Sequence, residues 1–144
     1  MELDPAHDYP LGKHRPDLAV TPSGMPQASI TLDALAAGRL DADDIRARPE
    51  TLRHQAAIAA TAGRAPLAAT LTLAAELAVV PSDVVLEIYT ALRPRRATAS
   101  VLEQWAERLD HEFDAPRASA FVREAAAVYA ARGLLALDER VPQV

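Results

Sequence analysis

Between residues 31 and 135, proline stands only at the edges of stretches rich in alanine, leucine and valine. That placement restricts the fold more than any other feature. Proline fixes φ and lacks an amide hydrogen, so a helix accepts it in the first turn and rejects it in the interior. Pro49 suits the first turn of a helix that Glu50 favours through the helix dipole, and Gly63 suits its end. Within it Leu52, Ala56 and Ala59 share a face, with Ile58 beside them. Pro66 opens a second helix, nearly apolar all round, which marks it as central. Pro81 ends that helix, and Pro81-Ser82-Asp83 caps the next, where Val85, Ile88, Tyr89 and Leu92 recur at helical spacing. Pro94 stops this one near Arg93. Ser100 and Glu103 read as a capping box whose helix turns Leu102, Trp105, Leu109 and Phe113 to the core. Pro116 opens the last helix, with Phe121, Val122, Ala125, Val128 and Tyr129 on one face, and Gly133 with Leu134 fits its C-cap. Ahead of these, Thr31 or Asp33 caps a short helix ending at Gly38. Asp41, Asp43 and Asp44 begin another short segment through Ile45.

Composition agrees. Half of the 144 residues are hydrophobic but only 4% are aromatic, so small aliphatic side chains must fill the core. Closely packed helices suit them better than sheets. The expected fold is all-α: a small open helical bundle over residues 31–135, a tail over 136–144, and an extended, Pro-rich N-terminal arm over 1–30. Five of the eleven prolines lie in that arm. Tyr9, Leu11, Leu18, Val20, Met25 and Ile30 also lie there, more apolar residues than a disordered tail carries. The arm is therefore expected to lie on a surface, of its own chain or of a partner.

No catalytic constellation is visible. His7, His14, His54 and His111 include no pair spaced for two ligands on one helix. The acids Asp41, Asp43 and Asp44 lack the glycine and terminal glutamate of a calcium loop. Ser23-Gly24 has no neighbouring base and no nucleophile-elbow pattern, and no glycine-rich phosphate loop occurs. Zero cysteines exclude disulfides and thiolate metal sites. With a net charge of −5 and Lys13 as the sole lysine among 15 basic residues, nucleic acid is not an expected partner. Ala65 to Val80 carries only Glu76 as a charge, but it is too short and too bounded by proline for a membrane span. There is no secretory signal, and a cytoplasmic location is expected.

Several strings, in order, point further: D-Y-P-L at Asp8–Leu11, P-E-T-L-R-H-Q-A-A-I-A-A-T-A-G-R at Pro49–Arg64, A-A-E-L at Ala74–Leu77 before Pro81, L-E-I-Y-T-A-L-R-P at Leu86–Pro94, and A-F-V-R-E-A-A at Ala120–Ala126. Together they resemble the small subunit of the adenosylcobalamin-dependent diol and glycerol dehydratases, over about residues 8–135. T-P-S-G-M-P at Thr21–Pro26 is closer to the glycerol enzymes, Pro49–Arg64 to the diol enzymes.

The resemblance implies a non-catalytic, mainly helical subunit of a lyase that converts a 1,2-diol or glycerol to an aldehyde and water. It implies large and medium partner subunits, two copies of each chain, and adenosylcobalamin held by the other subunits, with no catalytic, cofactor or metal residue on this chain. Residues expected at the subunit interface are Tyr9, Leu11, Arg93, Arg95, Arg123 and Glu124, while Tyr89 and Phe121 are expected mainly in the core. Relatives usually place an aromatic after L-R-P, where Arg95 stands here, so that contact is expected to be rebuilt around charge. Some relatives carry a long hydrophilic N-terminal extension linked to microcompartments. Only eight residues precede Tyr9, so packaging through this subunit is not expected. The alternative is a stand-alone helical interaction module or regulator.

Overall fold

Short-range signals place the helices where proline, glycine and capping side chains dictate. The computed structural model describes residues 3–137; of the expected C-terminal tail, 138–144 lie outside the described residues. The described residues form eight α-helices: α1 Pro5–Asp8, α2 Leu11–His14, α3 Leu32–Ala36, α4 Pro49–Thr61, α5 Ala65–Leu77, α6 Ser82–Ala91, α7 Ala99–His111 and α8 Pro116–Arg132. Single 3-10 turns at Pro16–Leu18 and Gln27–Ser29 join them, and among these residues there is no strand beyond a bridge between Val20 and Pro26. The fold is all-α. The chain divides into two compact units between Ala78 and Val79.

In the N-terminal unit, α4 and α5 pack against each other as a hairpin. Gly63, at φ 74°, supplies the left-handed residue of the turn, and the Arg64 N–H reaches back to the Ala59 carbonyl at 2.8 Å. Residues 3–30 are not an extended arm. Pro5 and Pro16 start short helical turns, because the φ that proline imposes serves a helix's first residue as well as an extended chain. Asp4 caps α1 through the Ala6 N–H. The turns fold back on α4: Leu3, Leu11 and Ile58 form a buried cluster with Leu18 beside it, and Thr51 Oγ1 donates to the Leu18 carbonyl at 2.9 Å.

Two further expectations change here. Asp41, Asp43 and Asp44 form no helix; Asp41 Oδ1 accepts the N–H groups of Asp43 and Asp44 and closes a turn instead. Asp44 is buried, accepting from Ser23 Oγ at 2.5 Å and from the Asp41 N–H at 3.2 Å. Second, α5 is not central. Only Ala75 is fully buried on it, and Leu67 is 43% exposed.

In the C-terminal unit α7 packs on α8, and α6 on α7. Leu102, Ala106 and Leu109 of α7 and Ala118, Ser119 and Val122 of α8 are buried, with Ala115 between the helices. The α7 cap is Thr98 rather than Ser100: its Oγ1 accepts the Val101 N–H at 3.3 Å. Gly133 ends α8 at φ 65°, and the Leu134 N–H bonds to the Tyr129 carbonyl at 2.9 Å.

Candidate subunit interface

Among the described residues, no group of three or more acidic, histidine or cysteine side chains could hold a metal. Every buried side-chain polar atom among the described residues has a partner. No helix among the described residues is long and apolar enough to cross a membrane. What the surface does offer is large apolar side chains left in water, and these mark contact surfaces when they gather.

Tyr9 is 66% exposed and lines an apolar cleft of 510 Å³ with Pro5, Pro10, Ala62, Leu67 and Leu71. Leu11, two residues on, is 4% exposed and belongs to the core of its own unit. The two residues that sequence pairs as interface positions thus divide: Leu11 anchors the folded-back turns, and Tyr9 is left outside.

Arg93, Arg95 and Arg96 all stand exposed in the turn after α6. Arg95 takes a left-handed φ of 61°, and its N–H donates to the Leu134 carbonyl at 2.7 Å. Arg123 has a different place. It joins α8 to α7 through Glu103 Oε1 at 2.9 Å and Asp110 Oδ2 at 2.8 Å, and donates to Ser119 Oγ of its own helix at 2.8 Å. The Arg123 guanidinium, followed by the Ser119 hydroxyl, holds the Asp110 carboxyl below the usual carboxylate range. Asp110 and then Glu103 raise Arg123 in return. A guanidinium used this fully serves the α7–α8 pairing first. Glu124, its neighbour in sequence, is exposed on another side of α8.

Tyr89 and Phe121 are not core residues; they are 67% and 51% exposed. Each lies at the edge of its helical stripe. On α6 the buried residue is Ile88, and on α8 Val122 is buried with Ala118 and Ser119, so Tyr89 and Phe121, next in sequence to Ile88 and Val122, turn about 100° away. Sequence reading also passed over Leu86, which is 64% exposed. Its signal was present: a leucine standing off the Val85-Ile88-Tyr89-Leu92 period has no core to face.

Comparison with known proteins matches this sequence to a family. The dehydratase small subunit family matches residues 5–136. The propanediol dehydratase small subunit of Citrobacter freundii is 44% identical over 132 residues, covering 92% of this chain and 77% of the relative. That of Salmonella typhimurium is 43% identical over 132 residues, covering 92% and 76%.

Proposed function

The chain belongs to the dehydratase small subunit family, and from that premise we propose that it is the small structural subunit of a dehydratase complex acting on 1,2-propanediol or glycerol. The family match over residues 5–136 carries the reading. The surface supports it: polar groups in the interior are satisfied, while Tyr9, Leu86, Tyr89 and Phe121 stand in water. Burying such side chains on a larger subunit stabilises the assembly by mass action, since binding draws the equilibrium toward the bound form. No observation favours a stand-alone regulator.

The cofactor implied by the resemblance is adenosylcobalamin. The described residues do not fit it. The clefts beside Tyr9 and beside Leu86, 510 and 520 Å³, are the scale of a drug-sized ligand rather than a corrin with its nucleotide loop, and no unsatisfied buried polar atom is aimed into either. We therefore propose that the cofactor and the chemistry reside on larger partner subunits, in an assembly with two copies of each chain. Tyr9 is proposed as a contact residue on the 510 Å³ cleft. It should be tested as Tyr9→Ala alone, because Leu11→Ala would remove core.

The test is co-expression with the larger subunits, purification through a tag on this chain, and assay of aldehyde formation from both substrates with added adenosylcobalamin. The expected result is a complex, two copies of each chain by native mass spectrometry, whose recovery and activity need this chain. Full activity and solubility of the larger subunits without it would overturn the proposal.

A further inference from the structure

The C-terminal unit bears a face on which apolar surface coincides with positive charge that no described carboxylate pairs. Leu86, Tyr89 and Arg93 stand at i, i+3 and i+7 of α6 and its C-terminal turn, so they share one side. Leu86 and Tyr89 are both more than half exposed. Beside them runs a groove of 520 Å³ lined by Leu86, Glu87, Thr90, Arg96, Ala97 and Val101. Its one carboxylate, Glu87, already acts electrostatically on Arg108.

The charge is the more telling part. Arg93, Arg95 and Arg96 put three cations into four residues of a chain with net charge −5. Among the described residues no carboxylate forms an ion pair with any of them. In the same unit Arg108 binds Glu112, and Arg123 binds Glu103 and Asp110. The turn that holds the three is fixed from both sides. The Arg95 N–H bonds to the Leu134 carbonyl, and the Ala136 N–H to the Ala97 carbonyl at 2.9 Å. At φ 61° glycine would meet the backbone requirement of position 95 with less strain. What glycine lacks is the guanidinium, the group best suited to grip a carboxylate in two-pronged fashion.

We propose that this face, Leu86 and Tyr89 with Arg93, Arg95 and Arg96 at its edge, docks on an apolar patch of a larger dehydratase subunit that is rimmed by carboxylates. The inference rests on the small-subunit reading above and names the surface and the partner chemistry. A second copy of this chain is a poorer occupant. A two-fold contact through this face would bring two arginine clusters into one interface, and like charges there select against the pairing. Nucleic acid would engage the cations and leave the Leu86–Tyr89 row without a role.

The test uses the full chain, tagged and co-expressed with the larger subunits. Arg93→Glu with Arg96→Glu should lower the amount of larger subunit retained roughly tenfold or more. Arg93→Lys with Arg96→Lys should restore part of it, and retention by the wild type should fall as salt rises. Leu86→Ser with Tyr89→Ser should also lose retention, whereas Arg132→Glu, at another exposed arginine of the same unit, should not. Far-UV circular dichroism melts of each free chain establish that folding is unchanged. If charge reversal unfolds the chain, Arg93→Gln with Arg96→Gln replaces it and should still reduce retention. Equal retention by wild type and a folded charge-altered variant would overturn the docking face and leave the small-subunit reading intact. No retention by the wild type would overturn both. A dimer of the free chain that the substitutions abolish, with retention unchanged, would transfer the face to a second copy. Salt-sensitive binding of a DNA or RNA duplex that competes with the larger subunit would transfer it to nucleic acid.

Discussion

The two units have similar helices and unlike interiors. In the C-terminal unit the long helices α7 and α8 enclose Leu102, Leu109, Val122 and Ser119 with almost no exposure. Ala106, Ala115 and Ala118 let their backbones approach, which is how an interior without large aromatics reaches normal packing density. In the N-terminal unit α4 and α5 also form a hairpin, but α5 buries only Ala75 fully and leaves Leu67 nearly half in water. The buried cluster there is built on α4 rather than α5, where Leu3 and Leu11 of the folded-back turns meet Ile58. A helix can therefore be apolar nearly all round and still bury little of itself in its own unit. The remainder is surface for something else.

The sharpest way to break this comparison is to cut into the completed core. Leu102→Ala should cost about 2–5 kcal/mol, because the closely packed alanines around it cannot collapse into the space. The chain's single tryptophan, Trp105, lies on α7 under the Arg108 guanidinium at 4.7 Å. Its fluorescence in a urea titration reads this unit directly. A loss below about 1 kcal/mol would mean that the α7–α8 interior is looser than its burial indicates.

Ser119 tests the polar part of the same interior. It is fully buried, donates to Asp110 and accepts from Arg123. Ser119→Ala should cost about 1–2 kcal/mol in the same titration. The acid limb of stability gives a second reading. Asp110 is held below its ordinary range in the folded chain, first by Arg123 and then by Ser119. A carboxyl lowered on folding contributes stability above its unfolded pKa of about 4, and that contribution fades as pH falls through the lower folded value. Stability should thus decline below about pH 4, and Arg123→Gln should flatten the decline more than Ser119→Ala does. Asp44 and Glu112 are lowered by other partners and stay in both curves, so the difference between wild type and variant isolates this network.

The helix boundaries were legible in the sequence because their causes are local. Pro49 and Pro66 sit at first turns, and Gly63 and Gly133 take the left-handed conformations that end α4 and α8. The width of each buried stripe was not legible. Periodicity places Tyr89 beside Ile88 and Phe121 beside Val122, but only the neighbouring helix decides which of each pair it covers. The Asp41 to Asp44 turn was hidden for a related reason, since the Ser23 hydroxyl that holds Asp44 is 21 residues away. The Ser100–Glu103 pattern misled because Thr98 satisfies the same helix end earlier, which frees Glu103 to bind Arg123. At the candidate interface, the arginine cluster was legible from composition, and the exposure of Leu86 was not.

A smaller effect is expected where the N-terminal unit leaves its helix uncovered. Leu67→Ala should cost the free chain under about 1 kcal/mol, since much of that side chain is already in water. A loss of 2 kcal/mol or more would show α5 behaving as core and would erase the contrast between the units. If a partner covers α5, the same substitution should weaken the complex more than the fold.

Arg95→Gly carries the smallest expected effect on the fold, and its sign is opposite. Relief of the left-handed strain gains about 1–2 kcal/mol, and the added freedom of glycine in the unfolded chain returns about 0.5–1 kcal/mol of it. A thermal melt of the free chain should therefore move slightly upward. Retention of the larger subunits should move down, because the substitution removes one of three adjacent cations while leaving the Leu134 hydrogen bond in place. A unit whose interior is complete has no folding reason to keep a strained arginine on its surface. On the docking proposal, the strained arginine is kept for its contact rather than for the fold. A melt that falls, with retention unchanged, would make Arg95 a structural residue of the turn and leave the contact to Arg93 and Arg96.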